Sequence, residues 1–285
     1  NLINCINNGS IERAQHYSDF YAAGIAGSLD SNSSVIGCVN NGQISGSATY
    51  AGGLVGEINE SQIINSYNTG DLNVSAQYAG GLAGHEGSYS STSSISRSYN
   101  IGSVTNTKNV SSTSLIPYTA GILAYADRYM NISNCYNKGN ITSLSENASS
   151  YTVGIIAASD TDSSTENGQY KNIYNTGTVT ANSNIGGIIG YTRYSTYGSC
   201  DLDNAFNTGN VVYNGSSDSV YIGGVAANAV NAADVANAYY GGACSSSVPA
   251  FGSGSGTNVS YLDNLDSLAK TEEWFTTETN WNSTS

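Results

Sequence analysis

Residues 132–141 read Ile-Ser-Asn-Cys-Tyr-Asn-Lys-Gly-Asn-Ile, and residues 151–157 read Tyr-Thr-Val-Gly-Ile-Ile-Ala. Each is one copy of a motif that recurs along the chain. The first motif is Asn-x-Gly with an aliphatic residue two positions on, as at Asn7-Asn8-Gly9 with Ile11 and Asn207-Thr208-Gly209 with Val211. From Gly9 to a degenerate copy at Gly241, where Tyr240 follows Tyr239, successive glycines lie 33, 28, 32, 37, 38, 32 and 32 residues apart. The second motif includes Tyr50-Ala51-Gly52-Gly53-Leu54, Tyr78-Ala79-Gly80-Gly81-Leu82 and Asn184-Ile185-Gly186-Gly187-Ile188. It falls once in each interval. A period of about 33 residues marks a repeat architecture.

Strands fit this repeat better than helices. Glycine interrupts every copy, and Ile, Val, Tyr and Thr flank it. The only prolines, Pro117 and Pro249, stand beside repeat boundaries, so strand N–H groups stay free to pair. Units of this length bury their apolar side chains by stacking, with like positions forming ladders. The expected fold is all-β, a parallel β-helix (β-solenoid) of about seven to eight rungs with a C-terminal cap. Eight rungs at the strand spacing of about 4.8 Å span roughly 35–40 Å. Residues 1–244 are expected to form the solenoid, 245–260 a Gly/Ser-rich linker or loop, and 261–285 a cap with a short helix from Thr271 and both Trp274 and Trp281.

Each slot of the repeat carries a physical expectation. The glycine of Asn-x-Gly is expected at φ > 0 in a corner. The asparagine amide is expected to donate and accept along the stack. The slot before it holds Ile6, Val39, Tyr67, Tyr99, Tyr136, Tyr174, Phe206 and Tyr239, and should be inward-facing or wedged at a corner as an aromatic ladder. The slot before that holds Cys5, Cys38, Ser66, Ser98, Cys135, Ala205 and Ala238. It reads as a place for a small packed side chain rather than part of a disulfide framework.

Composition narrows the function. The 285 residues carry 8 Lys+Arg against 21 Asp+Glu, a net charge of −13. Such a surface repels nucleic-acid phosphates and anionic bilayers. No apolar run reaches the length of a membrane span, so no membrane insertion is expected. No signal peptide opens the chain, and Asn4-Cys5-Ile6-Asn7-Asn8-Gly9 begins mid-motif, which reads as a fragment of a longer protein.

No catalytic, cofactor-binding or metal-ligating residue is singled out. His85-Glu86-Gly87-Ser88-Tyr89 lacks the second histidine of a zinc-peptidase helix, and the only other histidine is His16. Asp160 with Asp162, and Asp201 with Asp203, are alternate residues that would share one face of a strand. Paired glycosidase carboxylates or calcium ligands take such spacing. In a surface this acidic, solvated loop carboxylates are the stronger reading. A lyase site would want a base beside them, and Arg193 is the nearest in sequence.

Gly-Gly-Leu-Val-Gly at 52–56, Gly-Gly-Leu-Ala-Gly at 80–84 and Asn-Cys-Tyr-Asn-Lys-Gly at 134–139 resemble the GLUG repeats of large bacterial surface proteins, over residues 1 to about 242. Ala23, Ala120, Val153 and Tyr240 depart from that pattern. The resemblance implies a β-solenoid in a secreted or cell-surface adhesin; similar repeats also sit beside peptidase domains in IgA-cleaving metallopeptidases. The resulting expectation is a monomeric, non-catalytic, extracellular segment without a cofactor. It would act as adhesin or projecting stalk and bind a host glycan or host-surface protein through Tyr-rich spacer loops. The alternatives are a carbohydrate-active β-helix, hydrolase or lyase, and an accessory region of an IgA-peptidase-like enzyme.

Overall fold

The computed structural model describes residues 1–13, 20–88, 91–110, 115–127, 130–160, 168–192, 200–229 and 235–263. Their regular structure is all β, in three sheets of 13, 12 and 8 short strands. Neighbouring strands in all three sheets pair in parallel and in register. One turn illustrates the rest. Gln62–Ile64 and Tyr67–Asn68 lie in sheet 1, Leu72–Gly80 in sheet 2 and Ala83–Glu86 in sheet 3. The chain then re-enters sheet 1 one level up, at Ser93–Ser96. This is a parallel β-helix.

Seven turns contribute to all three sheets. The eighth has Val235–Gly241 in sheet 1 and Phe251–Gly254 in sheet 3, and one more strand, Thr257–Leu262, extends sheet 1 to a ninth level. The structure therefore differs from the expected linker at 245–260, because these residues carry strands that continue both ladders. The helix expected from Thr271 and both tryptophans lie outside the described residues. Among the described residues no helix is long and apolar enough to cross a membrane.

Inward side chains form columns. Val35, Ile63, Ile95, Ile132, Tyr170, Leu202 and Val235 are successive partners in sheet 1, each 0–1% exposed. Ile11, Ile44, Leu72, Val104, Ile141, Val179 and Val211 are successive partners in sheet 2, fully buried from Ile44 to Val179. Tyr170 is the one phenol in its column, and its hydroxyl lies 2.8 Å from Ser159 Oγ. That bond removes the cost of burying an unmatched hydroxyl.

The asparagine ladder is present as expected. Asn68, Asn100, Asn137 and Asn175 each donate from Nδ2 to the Oδ1 of the next rung at 2.8 Å. Each also donates to the carbonyl of the glycine two residues on, at 2.8 Å. All four are fully buried. The glycine expectation is corrected. Positive φ falls not on the Asn-x-Gly glycines but three residues before the asparagine, at Asn4, Asn65, Arg97, Asn134, Asn172, Asn204 and Asn237. Asparagine tolerates that left-handed turn. The motif glycine is there for closeness instead: a Cβ on Gly139 would overlap the Gly102 carbonyl one rung away.

Two further slots are clarified. Tyr136, Tyr174 and Phe206 form a buried cluster outside the main core, which holds the adjacent Cys135. Strand alternation thus sends Cys135 inward and Tyr136 outward. The ladder Tyr67, Tyr99, Tyr136, Tyr174 and Phe206 stacks at 4.7–4.8 Å with planes within 11°. The preceding slot is not reserved for small residues, since Ile173 and Val259 also occupy it. Its serines and cysteines bond to backbone. Ser66 Oγ accepts the Cys38 amide at 3.0 Å and Ser98 Oγ accepts the Ser66 amide at 3.1 Å.

Candidate functional site

The second motif builds a second aromatic column. Tyr21, Tyr50, Tyr78, Tyr118 and Tyr151 are register partners on sheet 2, with ring centroids 5.3, 5.5, 5.9 and 6.4 Å apart. After the glycine turn the chain enters sheet 3. There Ser28, Glu57, His85, Tyr125, Ala158, Tyr191 and Asn228 form a neighbouring column. His85 tilts against Tyr50 and Tyr78, at 5.1 and 4.8 Å, and stacks on Tyr125 at 5.7 Å.

Glu57 ties the columns together. Tyr21 Oη donates to its Oε2 at 2.8 Å, and His85 Nδ1 lies 3.1 Å from its Oε1. Burial pushes the Glu57 carboxyl up, but the His85 and Tyr21 hydrogen bonds outweigh it and leave the group below the ordinary value. The phenols move the other way. Burial, with the carboxylate beside it, pushes Tyr21 up to about 12. Burial and the neighbouring Tyr50 push Tyr78 to about 12. Tyr125 is also raised, by burial and by donating to Asp160 Oδ2 at 2.7 Å. At neutral pH these phenols are protonated: Tyr21 Oη donates to Glu57 and Tyr125 Oη to Asp160, whereas Tyr78 Oη accepts from Gln77 Nε2 at 3.0 Å.

A cleft of about 350 Å3 opens at this corner, lined by Asp30, Tyr50, Glu57, Glu60, His85 and Ser88 among others. Asp30 Oδ1 accepts from Asn59 Nδ2 at 2.9 Å. Three carboxylates thus surround a space bounded by aromatic ring and imidazole. Within this column each inner ring face is covered by the ring above or below; Tyr194 and Tyr197, in a spacer expected to bind, lie outside the described residues.

Of the carboxylate pairs read from sequence, Asp201 and Asp203 are alternate residues of one strand, Cys200–Asn207, as expected. Asp201 and Asp203 lie on sheet 1, beside Gln169 and Lys171, and Asp203 accepts from Asn237 Nδ2 at 2.8 Å. Asp160 lies at the end of a sheet 3 strand, bonded to Tyr125. Asp162, Arg193 and His16 lie outside the described residues. Among the described residues, no three His, Cys, Asp or Glu side chains converge as a metal cage would need. The cleft was missed because its residues sit in the repeat and not in the spacers. The signal was the position four after the second glycine, which reads Ser28, Glu57, His85, Tyr125, Ala158, Tyr191 and Asn228 across the copies.

Neither a protein-family model nor a curated protein matches this chain. A solved structure does: that of a putative immunoglobulin A1 protease from Bacteroides ovatus is similar over 90% of this chain and 67% of its own, with a TM-score of 0.54 and 16% identity. The similarity is one of fold. It nevertheless overturns the expectation of a chain that is not an enzyme. A protein of this architecture carries a protease's name, so the solenoid is no ground for a non-enzymatic reading.

Proposed function

We propose that the chain is the β-solenoid region of a secreted or surface-held bacterial protein of the protease class, and that its Tyr/His/carboxylate cleft holds basic segments of a polypeptide substrate. The observation that carries this reading is the cleft itself, where Asp30, Glu57 and Glu60 stand beside Tyr50 and His85. Carboxylates attract a Lys or Arg head group, and the aromatic ring supports its aliphatic stem. The net charge of −13 adds long-range attraction for a basic partner. A neutral sugar gains less, since its usual stacking face is occupied by the next tyrosine. The fold likeness to a protein named as an immunoglobulin A1 protease supports a polypeptide, and immunoglobulin A1 is one to try.

The test is binding of Lys/Arg-rich, acidic and neutral peptides of equal length, together with immunoglobulin A1, by calorimetry. Basic peptides should bind best, and more weakly as salt rises. Changing Asp30→Asn and Glu57→Gln together should lower their affinity about tenfold, roughly 1.4 kcal/mol. Equal binding of acidic peptides, or no effect of the double change, would refute the assignment.

A further inference from the structure

Cys5 and Cys38 occupy the same slot of adjacent rungs. Ile3 pairs with Ile36 and Ile6 with Val39, which leaves Cys5 opposite Cys38. The Cys5 amide donates to Cys38 Sγ at 3.3 Å. Parallel partners stand about 4.8 Å apart, inside the Cα separation of about 4.4–6.8 Å that a disulfide spans. No other slot of the ladder places two thiols on neighbouring rungs: Cys135 lies between Ser98 and Ile173. Both thiols are free, and Cys5 is partly exposed while Cys38 is buried.

We propose that Cys5 and Cys38 form a reversible disulfide that clamps the first turn of the solenoid to the second, with a low-molecular-weight disulfide as the oxidant. The Cys5 thiolate, on the accessible side, attacks one sulfur of the small disulfide. A protein–small-molecule mixed disulfide forms and one small thiolate leaves. The Cys38 thiol then loses its proton to solvent, and its sulfur attacks Cys5 Sγ. The Cys5–Cys38 bond forms as the second small thiolate leaves. Two protein thiols are oxidised and one small disulfide is reduced to two thiols, so atoms and electrons balance. Burial pushes the Cys38 thiol up, so the closing step should quicken as pH rises.

The clamp acts across the ladder that joins the first two turns. Among the described residues, Leu2–Ile3 pairs with Ser34–Ile36 and Ile6–Asn7 with Val39–Asn40. Ile3 and Ile6 are 56% and 63% exposed. A bond across 33 residues of chain restricts the opened state.

The test is to incubate the protein with oxidised glutathione, quench with an alkylating agent in denaturant, and map the peptides by mass spectrometry. A peptide pair joined through Cys5 and Cys38, with five titratable thiols reduced to three, is expected. In Cys38→Ser the reaction should stop at a glutathione adduct on Cys5. The oxidised protein should also show slower amide exchange in residues 1–13 than the reduced one. Five thiols remaining, a stable adduct on Cys5 in the unsubstituted protein, pairing of either cysteine elsewhere, or unchanged exchange after linkage would overturn the proposal.

Discussion

At the scale of single residues, Asn137 shows how one side chain joins two directions of the structure. Its Nδ2 donates along the stack to Asn175 and across the corner to Gly139, and its Oδ1 accepts from Asn100. All of this lies out of reach of water. Asn137→Ala should therefore lower stability by about 1–3 kcal/mol, the cost of leaving buried partners unmatched. Asn7→Ala should cost less, since Asn7 is partly exposed and, among the described residues, bonds one asparagine, Asn40, rather than two. Denaturant melts of the two variants measure the difference; equal losses would mean that burial does not set the value. The ladder was legible in sequence because the asparagine recurs in register. The turn at φ > 0 was not: it is carried by Asn134 and its counterparts, and Arg97 takes the same conformation with φ 48°. A position that admits Arg among asparagines shows no single residue type to read.

At the scale of the repeat, the structure explains why two motifs separated by a variable spacer travel together. A Cβ on Gly121 would overlap both the Gly154 carbonyl and the Asn137 side chain. Gly81 stands in the same relation to Asn100, and Gly154 to Asn175. The second motif's glycine is thus the floor on which the first motif's amide ladder lies. Gly224 meets the ring of Tyr240, the residue that replaces asparagine in the degenerate copy. Gly121→Ala should cost about 3 kcal/mol, near the top of the range for overpacked interiors. Combining it with Asn137→Ala should cost somewhat less than the two losses added, because the second change removes the Asn137 amide carbon, one of the groups the first strikes, while the Gly154 carbonyl stays. Additive losses by thermal or urea melts would show that the two motifs do not touch in the way described.

At the scale of the whole molecule, the phenols that line one corner make an alkaline limit. Tyr21 and Tyr78 move from 10.0 to about 12. A proton held more tightly in the folded state favours folding less as the unfolded state releases it. The contribution of these groups is therefore full below pH 10 and lost as pH rises towards 12. The melting temperature should fall across that window, and phenolate absorbance should lag behind that of the unfolded chain. Tyr78→Phe should lessen the fall. A flat melting temperature from pH 10 to 12 would contradict the burial of this column.

The sequence by itself determined the architecture, because a period of about 33 residues with glycine and asparagine in fixed places can be buried only by stacking identical turns. It determined the two aromatic columns and the amide ladder for the same reason, since in-register stacking turns a repeated residue into a row. Only the tertiary structure decided what stands beside what across the corners. Glu57 and His85 are 28 residues apart and occupy one variable slot, and nothing in either copy alone marks them as a pair. Their meeting with Tyr21 and Tyr50 depends on the glycine turn that folds sheet 3 against the end of sheet 2. The Cys5–Cys38 juxtaposition arises likewise from register, which brings residues a full repeat apart to the spacing of neighbouring strands.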